Sequence, residues 1–436
     1  MSEVKKLCDF PEEILELVFL RLPGNDIPDL TIVSPAINDV ISNSVLLMKN
    51  FEIYWKKVEQ EPKLTLKSKR KYVNFSIEDT TGATSLLLKF IESHSLTLSS
   101  LNFHQCEFER HELVRMMSLV AGSLKTLRMC FVKINGTSSS LQCFKIVMPN
   151  LVEAKLYDGS ASFFQIVEAK NLLRLECNDD HEFSSDEATH FIKFLGAIEE
   201  LNSLDLFANA IKALSENPET CTTMMFKASR IELWLNEDPD DARSLNSQAL
   251  TSSSIKFLQS QRSSLNDLTL CRCVLNDRDV MQIMSFTIKK LTLSGCEFIW
   301  NRTFKVNNKT IESIIISGTD LDSDQNLHAI CDIFTGCHSA SSVQFSDNAI
   351  PFDLALELVY NMPQLKKLEL DNCDFEPINY PTIESMEINY CEVEDIIRLI
   401  RINRHLKSLK VDRKCQDSPD FHRALAELAN TEVEYI

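Results

Sequence analysis

One phrase constrains this chain more than any other feature. Leu365 to Phe375 reads LKKLELDNCDF, and it returns as LNDLTLCRCVL from Leu265, IKKLTLSGCEF from Ile288 and IESMEINYCEV from Ile383. The apolar positions and the cysteine persist while the rest varies. The general form is L-x-x-L-x-L-x-x-C/N-x-L. It also fits from Leu98, Leu201 and Ile311, and more loosely from Leu124, Leu151, Leu172, Ala228, Ala340 and Leu406, with an opening copy at Tyr72. Most starts lie 21 to 29 residues apart, with outliers of 18 and 37. A unit this short cannot cover its own apolar face, so such units must stack.

The internal pattern of each unit says how. The L-x-L alternation is a short strand with one buried face. Between phrases the period becomes helical. HELVRMMSLVAG puts Leu113, Met116, Met117 and Val120 on one face, and SSDEATHFIKFLGA follows an N-cap at Ser184 or Ser185 with Ala188, Phe191, Ile192 and Leu195. The ninth position, Cys106, Cys273, Cys296, Cys373 and Cys391 in five copies, calls for a small polar side chain that bonds the backbone of the bend. Period and phrase together resemble the leucine-rich repeat in its cysteine-containing form. The resemblance implies an α/β solenoid with a parallel concave sheet and convex helices, over residues 61–436. The copy at Tyr72 is expected to close one end. A final helix carrying Phe421, Leu425 and Leu428 is expected to close the other.

Residues 1–60 do not follow the repeat. Pro11 suits a first helical turn, and Ile14, Leu15, Val18, Phe19 and Leu22 then share one face. Asp26 can cap a second helix with Ile27, Leu30 and Val33. Ser34-Pro35 opens a third with Ile37, Val40 and Ile41. FPEEILELVFLRLPGNDIPDLTIVSPAINDVI resembles the F-box, an all-α module. Phe10 to Leu15 match its opening Leu-Pro-x-Glu-Ile-Leu, and Val18-Phe19 and Asp26-Ile27 match later pairs. Where the family carries a tryptophan, Ile37 stands here. The resemblance implies a substrate receptor of an SCF-type cullin–RING ubiquitin ligase. The helical module would bind the Skp adaptor through Pro11, Ile14, Leu15, Val18, Phe19 and Leu30, and the repeats would hold a target protein. The runner-up is a leucine-rich-repeat scaffold that recruits no ligase.

Composition sets the remaining bounds. A net charge of −18 over 436 residues excludes ordinary nucleic-acid binding. No apolar run approaches a membrane span, and no export signal opens the chain. A cytoplasmic or nuclear protein with reduced thiols is therefore expected, and its four N-x-S/T sequons are read as chance matches. The 14 cysteines include no C-x-x-C, so no metal site is expected. The nine glycines form no phosphate loop, and HELVR breaks the H-E-x-x-H pattern at Arg115. A non-enzyme without a cofactor is expected. The acidic run Glu237, Asp238, Asp240, Asp241 and the basic run Lys63, Lys67, Lys69, Arg70, Lys71 are both read as solvated segments. Strand alternation finally directs phrase positions three, five and seven away from the core. Position five gives Glu176, Asp205 and Glu232; position seven gives Tyr157, Asn178, Phe207 and Trp234. With Arg230 at its edge, this patch is expected to grip a basic or amphipathic segment of the target.

Overall fold

The computed structural model describes residues 10–56, 70–136, 145–159, 162–178, 183–216, 227–235, 248–249, 252–301, 307–428 and 431–436. The acidic run at 237–241 and three of the lysines at 63–69 lie outside these residues. The chain is α/β, with a long parallel sheet whose sixteen strands follow sequence order among the described residues. It divides into two compact units, 1–201 and 202–436.

The first unit opens with helices α1 (Glu12–Phe19), α2 (Ile27–Leu30) and α3 (Pro35–Asn43). Each begins where the backbone is already restricted. Pro11 precedes α1, Pro28 lies in the first turn of α2, and Pro35 begins α3. The Ser34 hydroxyl accepts from the Ile37 amide at 3.2 Å, capping α3. Leu15, Phe19, Ile27, Ile37, Val40 and Ile41 form one core with Leu47, Met48 and Val73, so the module shares its interior with the start of the repeats. Arg70 closes the seam. Its guanidinium donates to Asn38 Oδ1 at 2.9 Å and lies 5.6 Å from the Phe51 ring centre.

The sheet starts one strand earlier than the sequence suggested. Glu52–Lys56 (β1) pairs in parallel with Asn74–Glu78 (β2), Trp55 opposite Ile77. No leucine phrase marks β1, but Trp55 fills the inward position and is buried. The copy at Tyr72 therefore does not cap the stack. Strands β3 (Ser100–Glu109), β4 (Thr126–Asn135), Glu153–Tyr157 and Arg174–Asn178 continue this unit. Helices α4 (Ser85–His94) and α5 (Arg110–Val120) lie between strands. Leu113, Met116, Met117 and Val120 of α5 are all buried, as are Ala188, Phe191, Ile192 and Leu195 of the helix Ser185–Gly196. Ser184 is the cap of that helix, in a reciprocal box with Glu187.

The second unit repeats the pattern from Glu200–Phe207 to Glu432–Tyr435. Its phrase leucines stay in register: Leu268 faces Leu291, then Ile314, Val343, Leu368, Met386 and Leu409. The final helix is shorter than expected. It ends at Leu425, leaving Leu428 in the following turn, and one more strand, Glu432–Tyr435, pairs with Ser408–Val411. Phe421 is fully buried beneath it.

Two backbone features make the phrase a turn. Among the described residues, the eighth residue of ten rungs has a positive φ, between 37° and 58°, from Asp79 and Gln105 to Asn372 and Tyr390. That left-handed step swings the chain out of the strand. Gly295 and Gly318 adopt it without cost, whereas Phe131 and Tyr390 take it at about 1 kcal/mol or more. The ninth side chain then ties the bend. Cys106 Sγ donates to the Ile77 carbonyl at 3.2 Å and to the His104 carbonyl at 3.3 Å. Cys296 reaches Leu270 and Ser294 in the same way, Cys391 reaches Leu370 and Asn389, and Asn348 reaches Ile316 and Ser346. In these four rungs the partners are position six of the previous rung and position seven of its own, whereas for Cys273 and Cys373 the bond is to the latter, Cys271 at 3.4 Å and Asp371 at 3.3 Å. Burial pushes the thiols of Cys106 and Cys373 up to about 11, so they stand protonated at neutral pH.

Candidate functional site

The six module positions singled out from the sequence fall into three groups. Leu15 and Phe19 point into the module core and are almost fully buried. Leu30 is half-buried against that core. Pro11, Ile14 and Val18 are exposed. The helical period explains the division. Residues 15 and 19 are one turn apart on the inner side, while 14, 17 and 18 form the neighbouring stripe. Leu17, which the sequence reading passed over, is 61% exposed, and Ile14 and Val18 are 44% and 43% exposed. Ile32 and Val33, after α2, are exposed at 86% and 65%. Ile37, at the place of the family tryptophan, is an inward residue of α3. The module thus buries one apolar face and shows another to solvent.

The remaining positions lie on the sheet face turned away from the helices. In the second unit the rings of Phe207 and Trp234 stack almost parallel, centres 5.3 Å apart and planes 8° apart. Both are half-buried. Trp234 Nε1 donates to Glu232 Oε1 at 2.7 Å, and Arg230 Nη2 donates to Glu232 Oε2 at 2.8 Å. Glu232 is therefore committed on both oxygens. Asp205 accepts from the Ser203 hydroxyl at 3.2 Å. The register places Arg230 beside Asp267 and Trp234 beside Cys271. Cys271 and Thr269 face outward yet are buried. Asp267 has one carboxylate oxygen buried without a hydrogen-bond partner among the described residues, and burial raises its pKa. The sequence reading missed Asp267, although it occupies position three of its phrase.

In the first unit, Tyr157 and Glu176 form a separate group. The Tyr157 hydroxyl donates to Glu176, which also accepts from Lys155 at 3.1 Å. The Arg128 guanidinium lies 5.4 Å from the Tyr157 ring centre. Burial, followed by the Glu176 bond, raises the Tyr157 pKa. Arg128, at position five of a loose phrase, carries the opposite charge to the position-five carboxylates and was not legible from the pattern.

Burial raises the pKa of the Cys271 thiol beside Trp234, and Glu232 and Glu176 are each held by two donors. Aromatic rings braced by paired charges on a strand face can hold an extended or helical protein segment. An exposed apolar helix stripe can bury itself on another protein. Among the described residues no helix is long and apolar enough to cross a membrane. No protein-family model matches the chain, and no curated protein matches it significantly.

Proposed function

We propose that the chain is a substrate receptor of an SCF-type ubiquitin ligase, with the helical module docking on the Skp adaptor and the repeats holding a target protein. The observation that carries this reading is the divided helix α1. Leu15 and Phe19 complete the module core, while Ile14, Leu17 and Val18 remain exposed beside it. Covering half-exposed side chains of this size contributes on the order of 1 kcal/mol each, enough for three to help anchor a partner.

The repeat sheet is the target-holding surface. Its stacked Phe207–Trp234 pair offers a flat apolar anchor, and Asp205 and Asp267 supply acceptors for a basic side chain. The chain itself needs no catalytic group. It holds a target lysine close to a charged conjugating enzyme, and the gain is effective concentration. Under this reading the protein is not an enzyme and works in the cytoplasm or nucleus.

Co-expression with the Skp adaptor tests the assignment. A stable complex on gel filtration is expected, and it should survive the Phe207→Ala/Trp234→Ala double substitution while capture of ubiquitinated partners is lost. Adaptor-free elution of the intact chain would instead favour the scaffold reading.

A further inference from the structure

A groove of about 830 Å³ lies within the first unit, where the segment after α3 meets the leading ends of the early repeat strands. It is separate from the exposed stripe of α1 and is made from different residues. Val45, Leu46 and Leu96 give it an apolar lining, and all three are exposed, Leu96 at 93%. Exposed leucines gathered at one concavity mark a surface that another molecule covers.

The polar lining is one-sided. Lys49 and Lys125 reach the groove, and no acidic side chain is among its described lining residues. Neither lysine has an ion-pair partner among the described residues, whereas most lysines on the sheet face pair with carboxylates, as Lys56 does with Glu78 and Lys155 with Glu176. In a chain of net charge −18 this is a local reversal of sign. The hydroxyls of Ser99, Ser100 and Thr126 also line the groove, with no protein partner among the described residues.

The wall behind these groups is fixed. The amides of Ser99 and Ser100 donate to the Val73 carbonyl, and those of Lys125 and Thr126 donate to the Ser99 carbonyl. Asn150 Nδ2 donates to the Gly122 carbonyl at 2.6 Å, and Asn74 Nδ2 to the Lys49 carbonyl at 2.7 Å. With these backbone groups engaged, side chains make up the face of the groove. It crosses the starts of three rungs at roughly 5 Å spacing, a span that about three to five extended residues can fill.

We infer that this groove binds an extended, acidic segment of a partner protein, with apolar side chains on Leu46 and Leu96 and carboxylates on Lys49 and Lys125. Two lysines are too few to hold a phosphodiester backbone against the charge of the whole chain. The exposed leucines also call for apolar side chains, which a nucleic-acid backbone lacks.

Fluorescence anisotropy with the full chain tests this inference. The probe is a labelled hexapeptide alternating leucine and glutamate, and the control carries lysine for glutamate. At low salt the acidic peptide should bind at least about tenfold tighter than the control, and the preference should shrink at 0.5 M salt. Lys49→Glu/Lys125→Glu should weaken it roughly tenfold or more, and Leu96→Asp should weaken it as well. All three positions are exposed, so these variants should keep the fold. Ile14→Asp/Val18→Asp should bind the peptide as wild type does, which separates this site from the proposed adaptor surface. The inference is overturned by no binding, by equal binding of the two peptides, or by an unchanged affinity in the charge-reversed variant. Stronger retention of the chain by phosphatidylserine vesicles than by the acidic peptide would overturn it too.

Discussion

Helices α1 and α5 have similar amphipathic spacing and opposite fates. In α5, every apolar residue of the face, Leu113, Met116, Met117 and Val120, is at most 1% exposed. In α1, Leu15 and Phe19 are buried, while Ile14, Leu17 and Val18, also apolar, face solvent. A rung helix is covered by its own strand and its neighbouring rungs. The module helix belongs to a cluster of three short helices and one repeat edge, too small to cover two stripes. The difference shows that apolar surplus in this chain is concentrated in the module. The rung helix α5 closes its apolar face internally, and the module helix α1 does not.

The comparison can be broken most sharply in the interior. Met116→Asp places a carboxylate where no water or partner reaches it. It should cost more than about 4 kcal/mol, seen as loss of the cooperative thermal transition. If that variant melts like wild type, the rung interior is not closed as described.

Next in size is the turn. Cys296→Leu removes the donor to the Leu270 and Ser294 carbonyls and forces extra volume into a buried bend. It should destabilise by about 1–3 kcal/mol. Cys296→Asn should be within about 1 kcal/mol of wild type, because Asn348 already makes the equivalent pair of bonds. Equal melting temperatures for the two variants would remove the hydrogen-bonding explanation of position nine.

Smaller again is the effect of pH at His94, the last residue of α4. Its ring packs on Tyr72 and Phe90, and its Nε2 is buried without a partner among the described residues. Burial lowers its pKa below the usual 6.5. The unfolded chain therefore takes up the proton first as pH falls. Stability is fully present above about pH 6.5 and declines as pH drops through the interval down to the folded-state pKa, by at most about 1.4 kcal/mol per pH unit. A His94→Phe variant should lose less melting temperature than wild type between pH 7 and pH 5.5. Parallel curves would show that the ring is solvated.

The parts of this architecture that were legible in the sequence were those fixed by local chemistry. Strand alternation, the ninth-position turn and the Ser34 and Ser184 caps each depend on a few adjacent residues, and the structure contains all of them. The parts that were not legible depend on what lies across the fold. Strand β1 has no leucine phrase, and its inward face is held by Trp55 with half-buried Ile53. The last strand, Glu432–Tyr435, has a charged edge and one partner. Helix α1 showed one broad apolar face, but the placement of α2, α3 and residues 47, 48 and 73 across from it decides that Leu15 and Phe19 turn inward while Ile14 and Val18 do not. Asp267 escaped notice for the same reason. Its buried oxygen is visible only once Arg230 and Lys290 flank it in the register.

The stripe at Ile14 and Val18 is proposed to serve a partner rather than the fold. Calorimetric titration of the Skp adaptor into purified wild-type chain and into Ile14→Asp/Val18→Asp, with melting curves of both, tests it directly. The predicted result is adaptor binding to wild type, no detectable binding to the double variant, and melting temperatures within a degree or two of each other. An adaptor that binds both chains equally, or a double variant that unfolds as Leu15→Asp/Phe19→Asp should, would contradict it.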